Sequence, residues 1–334
     1  MGNIIYSLNS VSPVFLIIAI GAILRRMGLI DENLSEKIMR LVFNIFLPAL
    51  LLRSLILVDF QKTLSSKMLL VVWGTLFACF FIAWGLSRLV VSRGQSRGLF
   101  TSGAVWGNVA IMGYALGELL YGPEGLARAA IFSAVVMPLH MFIGYLSMGG
   151  FVSSRIAPNP IPKHAQARRP GGMEERVSKG GYSHSKLGFI ANPVIVSIAL
   201  GILLNLLPFE IPTLALNMLD ILGGAGLPFA LIAIGGSLRF RMANWGEPLF
   251  AAVIKLLVMP AVAFLIARVI EMDKAWTASI VIGFSCPTAI SFFVVSRSLR
   301  HEASRAAAIV TTSTVGSALS AGVVVALLKL LEYA

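Results

Sequence analysis

The sequence predicts an all-α polytopic membrane protein with ten transmembrane helices in a 5+5 inverted repeat. Three observations support this prediction. The chain of 334 residues is 57% hydrophobic and only 13% charged, whereas a soluble domain carries roughly a quarter charged residues. Apolar runs long enough to cross a bilayer follow one another almost from end to end. The two halves of the chain also resemble each other at a shift of about 180 residues, and weak internal symmetry of this kind is typical of transporters.

Runs of about twenty apolar residues bounded by charges give ten spans. The spans cover residues 4–24, 38–58, 68–91, 98–120, 125–151, 189–207, 213–238, 247–270, 275–297 and 303–331. The stretch 152–188 is basic and rich in Pro, Gly and Ser, which predicts a flexible hydrophilic linker. The chain therefore divides into a first five-helix repeat over 1–151, the linker over 152–188 and a second, inverted repeat over 189–334.

Lysine and arginine predict the orientation, because they concentrate in cytoplasmic loops. Of the 27, nineteen lie in the odd-numbered loops including the linker, seven lie in the even-numbered loops and at the C-terminal end, and Lys255 lies within a span. We therefore expect a multi-pass protein of the cytoplasmic membrane with a cytoplasmic linker and both termini outside. The net charge of +12 follows this topology, and no basic face with interleaved aromatics indicates nucleic-acid binding.

The internal similarity predicts two interrupted helices. FLPALLLRSL (46–55) aligns with GLPFALIAIGGSL (226–238), and LYGPEGLARAAI (120–131) aligns with LRHEASRAAAIV (299–310). An odd number of spans in each half makes the halves antiparallel, and in such transporters the substrate site lies where broken helices meet. In span four, GAVWGNVAIMGYALGELLYG (103–122) contains five glycines and an asparagine. A shift of 178 or 179 residues carries Gly107 and Asn108 onto 285–287, where Pro287 breaks or kinks span nine.

Two helices broken at the same depth would offer an anion site. The second halves are expected to begin near Asn108 or Val109 and near Pro287 or Thr288, with unpaired N–H groups and a dipole that favour an anion. The carbonyls that end the first halves favour a cation or a hydrogen-bond donor. The predicted substrate-binding residues are Gly107, Asn108, Ser285, Cys286, Pro287, Thr288 and Lys255. The alternative interpretation is that the glycines only pack helices closely and that the proline is a tolerated kink.

Ionisable residues inside a membrane are costly and usually functional. Lys255, near the middle of span eight, could neutralise a substrate carboxylate or pair with Glu118, unless it forms a structural ion pair or snorkels. His140 and Glu118 are the candidates for proton coupling. His140 could instead be a hydrogen-bonded packing residue, and Glu118 an interfacial or paired one. Arg53 and Asp220 are expected toward the outer face, where they could pair.

Enzyme signatures of the HExxH, GxSxG and GxxxxGK[ST] types do not occur in the sequence. Cys79 and Cys286 fall inside apolar runs and predict small buried side chains, with neither disulfide nor metal spacing. We therefore expect a protein that is not an enzyme and that needs no cofactor and no metal. The expected partners are a small organic anion and membrane lipid, and a homodimer stays open.

The sequence resembles the auxin efflux carrier family in its bacterial form. The resemblance rests on GNVAIMGYALGELLYGPEGLARA (107–129), GLPFALIAIGGSL (226–238), CPTAISFFVVSRSL (286–299) and STVGSALS (313–320). It implies a 5+5 inverted-repeat fold related to the bile acid/sodium symporters, with spans four and nine crossing at Asn108 and Pro287 and an elevator-type motion. The family usually has a Gly-x-Pro pattern in span four. Here Gly113 is followed by Tyr114 and Ala115, so that break must depend on glycine and asparagine.

The resemblance further implies a secondary carrier for a small organic anion, either an auxin-like acid or a mono- or dicarboxylate such as malate or malonate. Proton coupling, sodium coupling and uniport all stay open. One alternative is a sodium-coupled symporter of the bile-acid type, which would need cation ligands near the crossing. The other is a non-transporting membrane sensor or scaffold that uses the basic linker.

Overall fold

The computed structural model describes residues 2–57, 66–92, 97–149, 193–207, 211–238, 245–299 and 301–333. The predicted linker over 152–188 lies outside this part. The described helices are α1 (Gly2–Arg26), α2 (Glu32–Leu41), α3 (Leu47–Leu57), α4 (Ser66–Val90), α5 (Arg97–Val105), α6 (Tyr114–Ser147), α7 (Pro193–Leu206), α8 (Thr213–Ser237), α9 (Gly246–Val253), α10 (Met259–Val269), α11 (Lys274–Ser285), α12 (Ile290–Ser298) and α13 (Ala303–Leu330). Three π-helical turns join helices or lead into them, at Val42–Phe46, Val109–Gly113 and Ile254–Val258.

Within the described residues, six helical segments are long and apolar enough to cross a membrane. They are Asn33–Leu57, Lys67–Val90, Val109–Gly144, Thr213–Ser237, Gly246–Val269 and Ser304–Leu330. Many large apolar side chains on these helices face outward, among them Phe81 and Ile221. In a bilayer this exposure is favourable, because the surrounding lipid is itself apolar. The protein is therefore a multi-pass membrane protein, as predicted.

The longest of these segments, Val109–Gly144, contains a sharp turn at Gly122. The backbone there has φ 62° and ψ −152°, a conformation that favours glycine. The backbones of Gly117 and Gly125 touch, although eight residues of a continuous helix would separate them by about 12 Å. The chain therefore folds back on itself at Gly122, and Pro123 begins the next helical run. This turn lies between the predicted fourth and fifth spans.

The helices pack in two groups. The first group contains α1, α2, α3, α7 and α8, with α8 lying between α1 and α3. The second contains α4, α5, α6 and α9–α13, with α10 packed on α4 and α11, and α13 on α9 and α11. The groups meet mainly where α1 packs on α13 and where α3 packs on α6.

The first group includes a very close contact between α1 and α8. A Cβ atom added to Gly21 would overlap the backbone of Ile232, and one added to Gly235 would overlap the backbone of Ile18 and Ala22. Small residues at such positions let two membrane helices approach until their backbones touch. Beside this contact, the Arg25 guanidinium donates a hydrogen bond to the Gly236 carbonyl, which links the end of α1 to the end of α8.

Candidate functional site

Both helices that the sequence predicts to be broken are interrupted inside the second group. The helix α5 ends at Val105, three residues follow without helical structure, and a π-helical turn begins at Val109. The helix α11 ends at Ser285, and helical structure resumes at Ile290. The first break thus agrees with the predicted start near Asn108 or Val109. The second start was predicted near Pro287 or Thr288, and helical structure resumes two residues later, at Ile290, because Thr288 pairs with Gly107 in a bridge.

The two interrupted segments lie against each other and pair through their backbones. Gly107 and Thr288 form an isolated antiparallel bridge. The Asn108 N–H donates to the Pro287 carbonyl at 2.7 Å, and the Ala289 N–H donates to the Trp106 carbonyl at 3.0 Å. We call residues 106–108 and 286–289 together the crossing. Because unpaired backbone groups are costly in a membrane interior, this pairing stabilises both breaks at once.

Side chains satisfy the carbonyls that the breaks leave without helical partners. In a continuous helix, Gly103 and Phe284 would each accept from the N–H four residues later. Instead, the Thr288 hydroxyl donates to the Gly103 carbonyl at 2.8 Å, and the Lys255 ammonium donates to the Phe284 carbonyl at 2.8 Å. The Thr288 N–H, the lost partner of Phe284, donates to the Ser313 hydroxyl at 3.0 Å. Thus Lys255 caps the first half of span nine, and Thr288 caps the first half of span four.

Lys255 lies in the π-helical turn Ile254–Val258 and is fully buried. Besides the Phe284 carbonyl, its Nζ contacts the Met259 sulfur at 3.4 Å and lies 6.0 Å from the Phe284 ring centroid. A Cβ atom placed on Gly107 would lie 3.0 Å from Nζ, so the ammonium is adjacent to the crossing. A lysine has three N–H donors, and the described residues provide two acceptors. The alternative pairing of Lys255 with Glu118 is not observed, because the ammonium contacts the Phe284 carbonyl and the Met259 sulfur instead.

The other predicted binding residues differ in how far their side chains are already engaged. The Ser285 hydroxyl donates to the Ile282 carbonyl at 2.7 Å, and the Cys286 thiol lies 3.5 Å from the same oxygen. Both side chains are therefore satisfied within α11. Asn108 is buried, 6% exposed, and its carboxamide caps no N–H of the turn that follows. Of these three side chains, Asn108 offers the most to a ligand.

His140 lies beside the crossing through its contact with Trp106. The two rings stack with centroids 6.4 Å apart and an interplanar angle of 22°. The imidazole is buried, and neither ring nitrogen has a hydrogen-bond partner of normal geometry among the described residues. His140 therefore packs against Trp106 and is compatible with either predicted role, proton coupling or packing.

Glu118 lies away from the crossing, in an exposed position on α6. The predicted pair of Arg53 and Asp220 is confirmed, with the guanidinium 3.1 Å from the carboxylate. These three residues come from α6, α3 and α8, so Glu118 belongs to a charged cluster between the two helix groups. Ser313, whose hydroxyl supports the crossing, was not among the predicted binding residues. In the sequence, Ser313 belongs to a run of four hydroxyl residues, 311–314, that interrupts the apolar pattern of α13. This run could have indicated a polar role at this position.

Replacing Thr288 by valine is expected to destabilise the crossing. The valine has the same shape but leaves the Gly103 carbonyl without its donor, and an unsatisfied buried acceptor costs about 1–3 kcal/mol. The unfolding temperature of the purified protein should fall accordingly. Thr314→Val is the matched control, because among the described residues the Thr314 hydroxyl bonds only to the Val310 carbonyl of its own helix. Equal losses for both variants would contradict a special role for Thr288.

Two interrupted helices that cross inside a bundle of apolar helices, with a buried cation beside them, define a membrane transporter. A family model described as membrane transport protein matches residues 6–325. The chain therefore belongs to this family, the auxin efflux carrier family.

Two archaeal relatives agree with this assignment. An uncharacterized transporter of Methanothermobacter thermautotrophicus is 25% identical over 291 residues, covering 85% of this chain and 86% of the relative. An uncharacterized transporter of Methanocaldococcus jannaschii is 21% identical over 298 residues, covering 84% of this chain and 86% of the relative. The similarity thus extends through both helix groups.

Proposed function

We propose that this membrane transporter is a secondary carrier for a small organic anion, either a mono- or dicarboxylate such as malate or malonate or an auxin-like acid. The observation that supports the proposal most strongly is Lys255, fully buried beside the crossing with no carboxylate partner among the described residues. A buried cation without a counter-ion is costly. A bound carboxylate would supply the missing negative charge.

The surroundings of Lys255 suit an anion in two further ways. Helical structure resumes at Val109 and at Ile290 on either side of the crossing, and the first N–H groups of a helix have no partner within it. These groups and the two helix dipoles favour negative charge. The carboxamide of Asn108 adds a hydrogen-bond donor that can select an oxygen ligand.

An elevator-type motion is consistent with how the helices pack. Hydrogen bonds connect the crossing to α5, α11, α13 and Lys255, and all of these residues belong to the second helix group. This group would carry the site as one body past the first group, with the contacts of α1 on α13 and α3 on α6 as the sliding surfaces. The small sliding of packed helices is an established form of such motion.

Contacts between helix ends support the proposed alternation of the spans across the membrane. His301 bonds to the Met148 carbonyl at 3.0 Å, and Arg305 forms an ion pair with Glu247; all four residues lie at ends expected in the cytoplasm. Lys67 bonds to the Glu271 carbonyl at 2.9 Å, and Lys274 lies 3.8 Å from Glu332; these four lie at ends expected outside. Each contact joins ends on the same expected side, as alternating spans require.

The position of Lys255 also bears on the driving force. In many carriers, a coupling cation binds to the carbonyls that end the first half of a broken helix. Here the Lys255 ammonium already donates a hydrogen bond to one of these carbonyls, that of Phe284. This arrangement favours sodium-independent transport over the sodium-coupled alternative. Proton coupling would then involve His140, which packs beside the crossing, or Glu118 in the charged cluster with Arg53 and Asp220.

The proposal is tested in two steps with the purified protein. A thermal-shift screen of small carboxylates should identify a ligand that raises the unfolding temperature, since a substrate stabilises the state that binds it. Proteoliposomes should then take up that carboxylate in labelled form under a proton gradient or membrane potential, without added sodium.

Three outcomes separate the alternatives. Uptake only in the presence of a sodium gradient would support the sodium-coupled symporter. Full uptake by a variant lacking residues 152–188 would exclude a scaffold that acts through the linker. The absence of any stabilising carboxylate, together with no flux under any gradient, would contradict the proposed function.

A further inference from the structure

An open groove with a volume of about 300 Å³ lies between α1 and α13. Its wall on α1 is a single stripe at helical spacing, formed by Phe15, Ile18, Ala19, Ala22, Ile23 and Arg26. Thr314, Val315 and Ala318 of α13 form the opposite wall. Among the described residues that line it, the groove is therefore apolar along its length, and Arg26 is the one cation, at the end of the α1 stripe.

The length of the groove matches one leaflet of a bilayer. Eleven residues separate Phe15 from Arg26, which in a helix corresponds to about 16 Å. Half of the hydrocarbon core of a membrane measures about 15 Å. A chain lying along the stripe would thus extend from the membrane surface at Arg26 to the middle of the bilayer at Phe15.

The groove opens sideways, toward the lipid. Ile23 is 54% exposed and Val315 is 52% exposed, one on each wall. The small side chains of Ala19, Ala22 and Ala318 leave the space between these walls. A soluble anion would gain little from such a long apolar surface, whereas an acyl chain would fill it.

We propose that this groove binds one anionic phospholipid from the leaflet at the Arg26 end of α1, the cytoplasmic leaflet in the proposed orientation. One acyl chain lies along the α1 stripe, and the phosphate lies at the Arg26 guanidinium. Arginine suits this role because its planar guanidinium can donate two parallel hydrogen bonds to the oxygens of one phosphate. Since α1 and α13 belong to different helix groups, the lipid occupies the surface along which the groups meet.

Native mass spectrometry of the full-length protein tests the proposal without any transport assay. The protein is incubated with equal amounts of a phosphatidylglycerol and a phosphatidylethanolamine that have identical chains. We expect one phosphatidylglycerol to bind in preference. Arg26→Gln should weaken phosphatidylglycerol binding about fivefold, which corresponds to the attraction between one basic residue and an anionic membrane surface. The same variant should bind phosphatidylethanolamine as the unmodified protein does.

A second variant tests the apolar wall. Ala19→Phe fills the groove and should weaken the binding of both lipids, and Ala318→Leu replaces it if the first variant fails to give a monodisperse protein. Arg40→Gln and Leu16→Phe are the matched controls, because neither residue lines the groove, and both should bind lipid as the unmodified protein does.

The proposal is overturned by any of three results. The first is equal binding of the two lipids, and the second is an Arg26→Gln variant that keeps the preference. The third is displacement of phosphatidylglycerol by millimolar glycerol phosphate, which would mean that the site recognises a free phosphate and not a lipid. Because the readout is lipid binding, these results are independent of whether the protein transports a carboxylate.

Discussion

Lys255→Met is expected to abolish the thermal stabilisation that the best carboxylate ligand gives to the unmodified protein. Losing one partner of a buried charged contact costs about 2–5 kcal/mol, so the affinity should fall at least about 30-fold. The unliganded protein should remain folded. The Phe284 carbonyl loses a donor, at about 1–3 kcal/mol, but removing a buried ammonium offsets part of that cost.

The matched control is Lys274→Met. Lys274 begins α11, but its side chain is 62% exposed and its ion-pair partner is Glu332, so ligand stabilisation should persist. The same carboxylate, at a fixed concentration, is used for all three proteins. If Lys255→Met unfolds while unliganded, capping of Phe284 is its dominant role. If it keeps full ligand stabilisation, Lys255 does not contact the anion.

Gly21→Ala is expected to have the largest effect on folding. The added methyl group would overlap the Ile232 backbone, and a backbone cannot move aside as the end of a side chain can. The helices α1 and α8 must therefore separate, with a cost near the upper end of the range for overpacking, about 3 kcal/mol. A fall in the unfolding temperature of the purified protein measures this cost.

Gly85→Ala is the control for this prediction. A methyl group on Gly85, in the C-terminal part of α4, would meet nothing within 4 Å. Alanine is favoured over glycine in a helix by about 1 kcal/mol, so this variant should unfold at the same temperature or slightly higher. A Gly21→Ala variant as stable as Gly85→Ala would show that α1 and α8 do not pack as closely as described.

The breaks at the crossing were predictable because their causes are local. Proline at position 287 removes a backbone donor and favours a break or kink, and the alignment of the two halves carries Gly107 and Asn108 onto the same depth. The place where helical structure resumes in span nine was not predictable. Residues 286–289 stay extended because they pair with residues 106–108, which are far away in the sequence.

The role of Lys255 shows a second limit of the sequence. The sequence predicts that Lys255 is buried, because it is an ionisable residue in the middle of an apolar run. For the same reason the sequence predicts a functional role at this position. Its partner depends on how α9 and α10 are rotated against α11, and no pattern within one helix specifies that rotation. The sequence therefore suggested Glu118, whereas the structure places a backbone carbonyl in contact with the ammonium.

The crossing also affects how a protein of this kind can change during evolution. The Gly107–Thr288 bridge that joins its two segments consists of two hydrogen bonds, from the Asn108 N–H to the Pro287 carbonyl and from the Ala289 N–H to the Trp106 carbonyl, and both use backbone atoms only. A substitution at Asn108 can therefore change the side chain at the crossing and still keep these contacts. In a carrier that binds its substrate at the crossing, as we propose, specificity could change there by a single substitution that leaves the backbone pairing in place.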